Sequence, residues 1–230
     1  MTNFRRGIRN AAFIDALAQL SGHDGWWREV LREPSLIIGV RDEYLNVYWQ
    51  GQSLFKVSLV HGKVAATTHP KYLLNPDLAG QVSLDVETGG FAALKDDAIA
   101  TTWEPGVTLG RMKRAAALYA GGEKKGVQAT ATTHPDTLDV EIAFPASEVT
   151  DQSVPRLDLA LLEDTGAESR LVFWEAKCFA NPELRSTGEK NVVRQIETYR
   201  MIVGAHRSDI LDSYGIVAHN LAAFAAMSGG

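Results

Sequence analysis

The segment at positions 170–179, RLVFWEAKCF, constrains the fold of this chain more than any other stretch. It is apolar enough to be buried, yet it carries Glu175 and Lys177 two residues apart. Residues at i and i+2 point in different directions on a helix but to the same side of a strand. A strand from Leu171 to Cys178 is therefore predicted, apolar on both faces at its start and charged at its end, as in a layered core of helices and strands. Burying an unpaired charge is costly, so the charged end needs partners.

The composition is that of an ordinary soluble protein. The chain has 230 residues, 45% of them hydrophobic and 22% charged, enough for one large domain or two small ones. No apolar run reaches the ~20 residues of a membrane span, and Asp15 and Gln19 interrupt the apolar part of the N-terminus. The single cysteine, Cys178, excludes an internal disulfide and a zinc site built from several cysteines. We expect a cytoplasmic protein with no membrane partner.

The net charge of -5 argues against a surface that binds nucleic acid indiscriminately through positive charge. A local basic groove remains compatible with it. Two groups of basic residues are candidates for a polyanion path, and solvated helix faces or loops are the alternative for each member. The first group is Arg111, Lys113, Arg114, Lys124 and Lys125, and the second is Arg185, Lys190, Arg194 and Arg200.

The first hundred residues predict a helix followed by short antiparallel strands. Aromatic and β-branched residues form the strands, while Gly51 and His61-Gly62 mark turns of a β-meander. Tyr44 and Tyr48 share one strand face, where they either stack on bases or pack against a helix. The predicted elements are the helix Asn10 to Leu20, a short segment around Trp26-Trp27, and the strands Leu36 to Val40, Tyr44 to Trp49 and Ser53 to Val60.

From about Trp103 the elements become longer and more regular. The predicted order is α-β-β-β-α-β, which makes the fold class α/β with a mixed sheet. We place the accessory meander in residues 1–104 and the core in residues 105–230. The core elements are a helix from Leu109 to Ala120 stopped by Gly121-Gly122, strands Leu138 to Phe144, Arg156 to Leu162 and Leu171 to Cys178, a helix after Asn191, and a strand from Tyr214 to Ala218.

The strand RLDLALL carries one acid, Asp158, on the face opposite its leucines. A hairpin through the turn EDTGAES would place Asp158 beside Glu175 and Lys177. Two carboxylates that converge repel one another unless a divalent cation lies between them. A lysine beside such a cation can orient or help deprotonate a bound water. These are the components of metal-assisted phosphodiester hydrolysis.

Asp158, Glu175-Ala176-Lys177 and Gln195-x-x-x-Tyr199, in this order of elements, resemble the PD-(D/E)XK nuclease superfamily with its restriction-endonuclease-like fold. The resemblance covers about residues 105–220. It implies that Asp158 and Glu175 hold Mg²⁺, for which Mn²⁺ substitutes, and that the backbone carbonyl of Ala176 adds a ligand. It further implies that Lys177 acts on the attacking water and that Gln195 and Tyr199, on one helix face, lie near the site.

Two departures from the family pattern concern the proline and the third acid. Pro155 lies three residues before Asp158 rather than directly before it. The predicted helix from Leu109 to Ala120 contains no acid, which leaves Glu104, Glu123 or Glu141 as the further ligand. We favour Glu141 because it stands in the otherwise apolar strand next to that of Asp158.

Each site residue also has a structural interpretation. Glu175 and Lys177 alternatively form an ion pair at a sheet rim, and Asp158 alternatively caps a turn or pairs with a nearby arginine. Gln195 and Tyr199 are alternatively ordinary helix residues. Cys178 is expected to be a small buried hydrophobic residue, because no histidine is placed to activate it as a nucleophile.

The resemblance leads us to expect a Mg²⁺-dependent endonuclease acting on double-stranded DNA, in restriction, phage defence or repair. The basic residues from Arg111 to Lys125, with Arg194 or Arg200, would hold the DNA backbone. The N-terminal region would select substrate, bind a partner protein or form a homodimer. The alternatives are an inactive nucleic-acid-binding or assembly module of the same fold and a purely structural α+β domain.

Overall fold

The computed structural model describes residues 4–73, 81–91, 101–144, 156–188 and 191–229. Within these ranges the protein is a mixed α+β fold with two antiparallel sheets and six α-helices. Pro155 and Lys190, which were named above, lie outside the described residues.

The N-terminal part begins with two helices and continues as a five-stranded sheet in the order β1-β2-β3-β4-β5, with every neighbouring pair antiparallel. The predicted meander is therefore confirmed and extended by two strands. A one-turn 3-10 helix at Pro70–Leu73 lies between the last two strands. The elements are α1 (Ala11–Ser21), α2 (Trp26–Arg32), β1 (Ile37–Val40), β2 (Tyr44–Trp49), β3 (Gln52–Val60), β4 (Lys63–Thr68) and β5 (Val82–Leu84).

The local sequence accounts for the edges of these elements. Asn10 caps α1, where its side chain accepts a hydrogen bond from the backbone N–H of Ala12 at 3.1 Å. The two-residue turns Gln50-Gly51 and His61-Gly62 have positive φ at both positions, as tight hairpins require. These turn residues made the hairpins predictable.

The C-terminal part contains a three-stranded antiparallel sheet in the order β6-β7-β8, flanked by helices. Its elements are α3 (Thr108–Ala117), α4 (Gly122–Thr133), β6 (Thr137–Ile142), β7 (Leu157–Asp164), β8 (Ser169–Trp174), α5 (Val192–Ala205) and α6 (Arg207–Ser228). The three predicted strands and the helix after Asn191 are present. The described strand ladders are all antiparallel, so the expected mixed sheet is not found in them.

The predicted strand from Tyr214 to Ala218 is wrong, because these residues lie within the 22-residue helix α6. The buried residues of α6 recur every three or four positions, which is the period of a helix and becomes visible only over a window longer than five residues. They are Ile210, Ser213, Tyr214, Val217, Asn220 and Phe224. The observed order of the helices and strands in residues 105–230 is thus α-α-β-β-β-α-α.

Two further boundaries differ from the prediction. Gly121-Gly122 does not end a helix that reaches Ala120; α3 ends at Ala117, and Gly122 is the first residue of α4, which was not predicted. The strand predicted as far as Cys178 ends at Trp174, so Glu175 and Lys177 follow β8 instead of lying within it.

By length and composition α6 would be long and apolar enough to cross a membrane. The same test is passed by core helices of soluble proteins, and α6 buries one face against the rest of the chain. The hydropathy of α6 therefore decides nothing about a membrane.

One large cluster of buried apolar side chains includes residues from both sides of the predicted boundary at position 104. Trp27 of α2 packs edge-on against Phe224 of α6 at 6.1 Å between ring centroids. Asn220 of α6 also donates to the carbonyl of Ile8 at 3.1 Å and accepts from its N–H at 2.8 Å. The division into two domains remains a prediction, and contacts of these kinds cross it.

A buried charged cluster joins the two sheets. Asp139 of β6 is fully buried and forms an ion pair with Arg41, just after β1, at 2.5 Å. Arg6 lies 3.7 Å from the same carboxylate, and the hydroxyl of Tyr214 donates to it at 3.1 Å. These partners offset the desolvation of the carboxylate and place the start of the chain, β1 and α6 around β6.

Candidate active site

The pairing of β7 with β8 brings the predicted acids together. Leu159 of β7 lies opposite Trp174, the last residue of β8, so the neighbouring positions Asp158 and Glu175 come next to one another at the end of the ladder. Asp158 is buried, and its Oδ2 accepts a hydrogen bond from the backbone N–H of Ala176 at 2.9 Å. The predicted juxtaposition of Asp158 with the Glu-Ala-Lys segment is confirmed.

Glu175 and Lys177 form an ion pair at 2.9 Å, the contact that the structural alternative predicted for them. Lys177 also pairs with Glu183, in the 3-10 helix Pro182–Leu184, at 2.9 Å. Burial alone would lower the pKa of Lys177, but the hydrogen bonds and charges of its two acidic partners raise it overall. Lys177 is therefore held as an ammonium ion.

Burial raises the pKa of Glu175, and the nearby charge of Asp158 adds to this effect, while Lys177 opposes it. The Oε1 atom of Glu175 lies 2.9 Å from the ammonium nitrogen of Lys177 and 2.9 Å from the side-chain nitrogen of Gln195. The Oε2 atom is buried and has no hydrogen-bond partner in the part of the chain that the structure describes. A buried carboxylate oxygen without a partner is costly, and a hydrogen-bond donor or a cation would offset this cost.

Gln195 and Tyr199 extend the network from α5. This helix begins after Asn191, whose side chain accepts from the N–H of Arg194. The Nε2 group of Gln195 donates to Glu175 at 2.9 Å and to the hydroxyl of Tyr199 at 3.0 Å. The buried hydroxyl of Tyr199 donates in turn to the carbonyl of Arg156 at 3.1 Å. The i, i+4 spacing predicted that these two residues share a face, and the structure places both beside Glu175.

Burial and the charge of Glu175 raise the pKa of Tyr199, so its hydroxyl stays protonated and keeps its hydrogen to donate. Gln195 and Tyr199 therefore hold the carboxylate of Glu175 in place as fixed dipoles. Not every large apolar side chain of α5 is buried, because Ile196 is 46% exposed.

Glu141, the favoured third acid, lies on the other side of Asp158. It is buried at the end of β6 and has φ = 54°, a left-handed conformation that costs a non-glycine residue about 1 to 3 kcal/mol. The side chain of Arg156 approaches its carboxylate at 3.9 Å.

Lys124 of α4 lies between two of the acids, a position that the sequence did not reveal. Its ammonium group is 2.5 Å from Glu141 and 3.2 Å from Asp158. Burial would lower the pKa of Lys124, but its bonds to Glu141 and the charges of both acids raise it overall. Because α4 was not predicted, Lys124 counted only as a member of a basic group.

A close approach of the backbone makes this position of Lys124 possible. Gly51, in the turn between β2 and β3, faces the stem of Lys124, and a side-chain carbon at position 51 would lie 2.8 Å from it. Glycine, which also has φ = 73° here, leaves the space that the lysine stem occupies.

Glu123, another residue that the sequence analysis did not favour, shapes the turn after Lys177. It accepts hydrogen bonds from the N–H of Cys178 at 3.2 Å and from the side chain of Asn181 at 2.7 Å. The Asn181 hydrogen bond lowers the pKa of Glu123, so it remains a carboxylate. The expectation that Cys178 is buried is wrong, because its strand ends earlier and the residue is exposed.

Comparisons of the chain with known protein families, with curated proteins and with solved structures found no match. What the site can do is therefore argued from its geometry.

Two carboxylates, those of Asp158 and Glu175, lie next to one another, although Lys124 also contacts Asp158 at 3.2 Å. Among the described residues, no group of three or more His, Cys, Asp or Glu side chains is arranged to hold one. Asp158 and Glu175, with the unpartnered Oε2 atom of Glu175, fit a cation that keeps much of its water, as Mg²⁺ does with one or two carboxylates. Glu141 is already engaged by Lys124.

The basic residues named in the sequence analysis have different environments. Lys113 is engaged with Glu33 at 3.3 Å and with the hydroxyl of Ser35, and Lys124 belongs to the acidic centre. Arg185 donates to the carbonyl of Phe179 and lies over its ring. Arg194 and Arg200 of α5 are exposed and remain candidates for phosphate contacts.

Of the two tyrosines on β2, Tyr48 is the buried one. It packs with Val127 and Ala131 of α4, as the helix-packing alternative predicted. Tyr44 is half-buried, and the ammonium group of Lys56 lies 4.5 Å from its ring centroid.

Proposed function

We propose that this protein is a Mg²⁺-dependent nuclease of the PD-(D/E)XK type that hydrolyses phosphodiester bonds in DNA. One observation carries the proposal: Asp158, Glu175, Lys177, Gln195 and Tyr199, chosen from the sequence, lie in one hydrogen-bonded network. A rim ion pair alone would not require an acid from the neighbouring strand and two polar residues from a helix to converge on it. The order α4-β6-β7-β8-α5 agrees with the first five elements expected of such a core, with α4 in place of the predicted helix Leu109 to Ala120. The helix α6 stands where a strand was expected.

Asp158 and Glu175 would hold the metal ion, with the backbone carbonyl of Ala176 as the proposed third protein ligand. When bound, Mg²⁺ supplies Lewis-acid polarisation of the scissile phosphate and a more acidic water. Glu141 would not bind the metal ion directly. It would instead hold Lys124 beside Asp158.

The side chains of the chain itself have distinct roles in this proposal. Lys177, held as an ammonium ion, orients the attacking water and stabilises negative charge that develops on the phosphate. It does not serve as the proton acceptor in this form. Gln195 and Tyr199 position Glu175, whose charge is otherwise disfavoured by burial.

The test is cleavage of circular and linear DNA, and of RNA, with Mg²⁺ and with EDTA. We expect Mg²⁺-dependent cleavage by the wild type and loss of at least about a hundredfold in rate with Asp158→Asn or Lys177→Ala, as for removal of a principal electrostatic group. Asp164→Asn is the matched control, because it makes the same chemical change at the exposed end of β7. Thermal melting checks that each variant folds. Cleavage that survives Asp158→Asn at the wild-type rate would refute the assignment.

Lys124 favours a second candidate, a non-cleaving nucleic-acid-binding or assembly module of the same fold. Its ammonium group already offsets part of the negative charge of Glu141 and Asp158, which reduces the need of these acids for a metal ion. Calorimetric titration with Mn²⁺ discriminates between the two functions. The nuclease should bind Mn²⁺ more tightly than its Asp158→Asn variant, whereas an inactive module should show no difference.

A further inference from the structure

A polar cavity of about 500 Å³ lies between the start of the chain, the first sheet and the end of β6. Among the residues that the structure describes, its lining contains four arginines, namely Arg5, Arg6, Arg41 and Arg156, and two acids, Asp42 and Glu141. An excess of guanidinium groups in a concave site selects for anions, and phosphate above all, because their N–H groups match its oxygens in pairs.

The four arginines divide into a fixed pair and a free pair. Arg6 and Arg41 are buried and share the carboxylate of Asp139. The side chain of Arg5 is exposed and forms no hydrogen bond or ion pair with any described residue. Arg156 is 64% exposed, and its ion pair within the described ranges is the 3.9 Å approach to Glu141. Arg5 and Arg156 can therefore turn their donors to a ligand.

Tyr48 gives the cavity a buried neutral donor. Its hydroxyl oxygen accepts from Arg41 at 3.3 Å and from the amide of Asn46 at 3.0 Å. In the part of the chain that the structure describes, its own hydroxyl hydrogen has no acceptor, although the residue is only 6% exposed and lines the cavity. A phosphate oxygen would satisfy this hydrogen, which is otherwise buried at a cost.

Glu141 connects this cavity to the acidic centre. It lines the cavity and at the same time binds Lys124, which contacts Asp158. We infer that the cavity binds a phosphate group of the nucleic-acid strand whose neighbouring phosphodiester lies at Asp158 and Glu175. This inference rests on the proposed nuclease function for its ligand, but its geometry is independent of cleavage.

The test is equilibrium binding in EDTA, which separates binding from metal-dependent cleavage. Fluorescence anisotropy measures the affinity for single-stranded DNA oligonucleotides that carry a 5′-phosphate, a 3′-phosphate or no terminal phosphate. The variants are Arg5→Ala, Arg156→Ala and their combination. The control is Arg28→Ala combined with Lys63→Ala, which removes two positive charges outside the cavity. Because Arg5 and Arg156 are exposed, thermal melting should show all variants folded.

We expect each single variant to weaken binding roughly tenfold, as for the loss of one charge-assisted hydrogen bond. The slope of log K against log salt should fall by about 0.7 for each lost phosphate contact to a single strand. The control should stay within about twofold of the wild type. If a terminal phosphate is the ligand, the oligonucleotide that carries the phosphate at the recognised end binds more tightly than the other two. The double variant then loses this preference. If an internal phosphate is the ligand, all three oligonucleotides weaken equally.

Wild-type affinity and salt slope in the double variant would overturn the inference, and so would a control that weakens binding as much as the double variant. The nuclease proposal fails separately. A protein that binds through Arg5 and Arg156 but never cleaves with Mg²⁺ would retain the phosphate site and lose the nuclease function. If the double variant cleaves DNA with Mg²⁺ and binds it with wild-type affinity, the phosphate site is refuted and the nuclease function is retained.

Discussion

Replacing Lys124 by methionine tests whether an ammonium group and a metal ion compete for the same acids. Methionine keeps most of the length of the lysine stem that packs beside Gly51 and removes only the charge. The variant leaves Glu141 and Asp158, both buried, without the ammonium group that contacts them at 2.5 and 3.2 Å. Both proteins can be unfolded by urea in EDTA and again with Mg²⁺.

The magnitude follows from the burial of the three groups. Breaking a buried ion pair by removing one partner costs about 3 to 5 kcal/mol. The side chain of Lys124 is 35% exposed and therefore partly hydrated, so we expect a loss below that range, about 2 to 3 kcal/mol. A metal ion that binds only the folded protein, at about a hundred times its dissociation constant, raises the unfolding free energy by about 2.7 kcal/mol. Mg²⁺ should therefore restore most of the loss in the variant and stabilise the wild type less.

Lys125→Met is the matched control, because Lys125 is the next residue of α4 and is exposed. Its unfolding free energy should change by no more than about 0.5 kcal/mol. The reasoning is refuted if Lys124→Met and Lys125→Met have the same stability in EDTA. The idea of competition is refuted if Mg²⁺ stabilises the wild type and Lys124→Met equally.

Two further predictions concern the buried cluster and the role of Lys177. Asp139→Ala should lower the unfolding free energy by about 3 to 5 kcal/mol, because it leaves Arg41 buried without its anion. Asp139→Asn keeps a hydrogen-bond acceptor, so urea unfolding should show a smaller loss for this variant. A loss below 1 kcal/mol for Asp139→Ala would contradict the structural importance of the pair. Lys177→Arg should retain measurable Mg²⁺-dependent cleavage while Lys177→Met loses it, since we assign Lys177 a positive charge and no proton transfer; equal inactivity of both in a plasmid cleavage assay would contradict that role.

The juxtaposition of the acids was predictable because it depends on local signals. Alternating apolar residues identify β7 and β8, and the polar turn between them sets their pairing as a hairpin. Once the strands are paired, the positions of Asp158 and Glu175 follow from the register. The family resemblance implied that Gln195 and Tyr199 lie near the site, and their i, i+4 spacing placed them on one face of the helix that begins after Asn191.

What escaped prediction depends on long-range packing. The helix α4 is rich in Gly and Thr, which have low helix propensity, and it forms by packing Val127 and Ala131 against Tyr48 and the second sheet. Without that helix the position of Lys124 could not be inferred. The pairing of Arg41 with Asp139 joins two sheets far apart in the sequence, and no local pattern indicates such a contact.

The bare backbone of Gly51 has a consequence for how this chain can evolve. The turn between β2 and β3 shapes no catalytic group directly, yet it reserves the volume through which Lys124 reaches the acids. A larger side chain at position 51 would push the stem of Lys124 aside and so move its ammonium group relative to the acids. Gly51 and Lys124 belong to different predicted domains, so the effect would cross between them. The hairpin turn and the charge balance of the acidic centre are therefore inherited as a single trait.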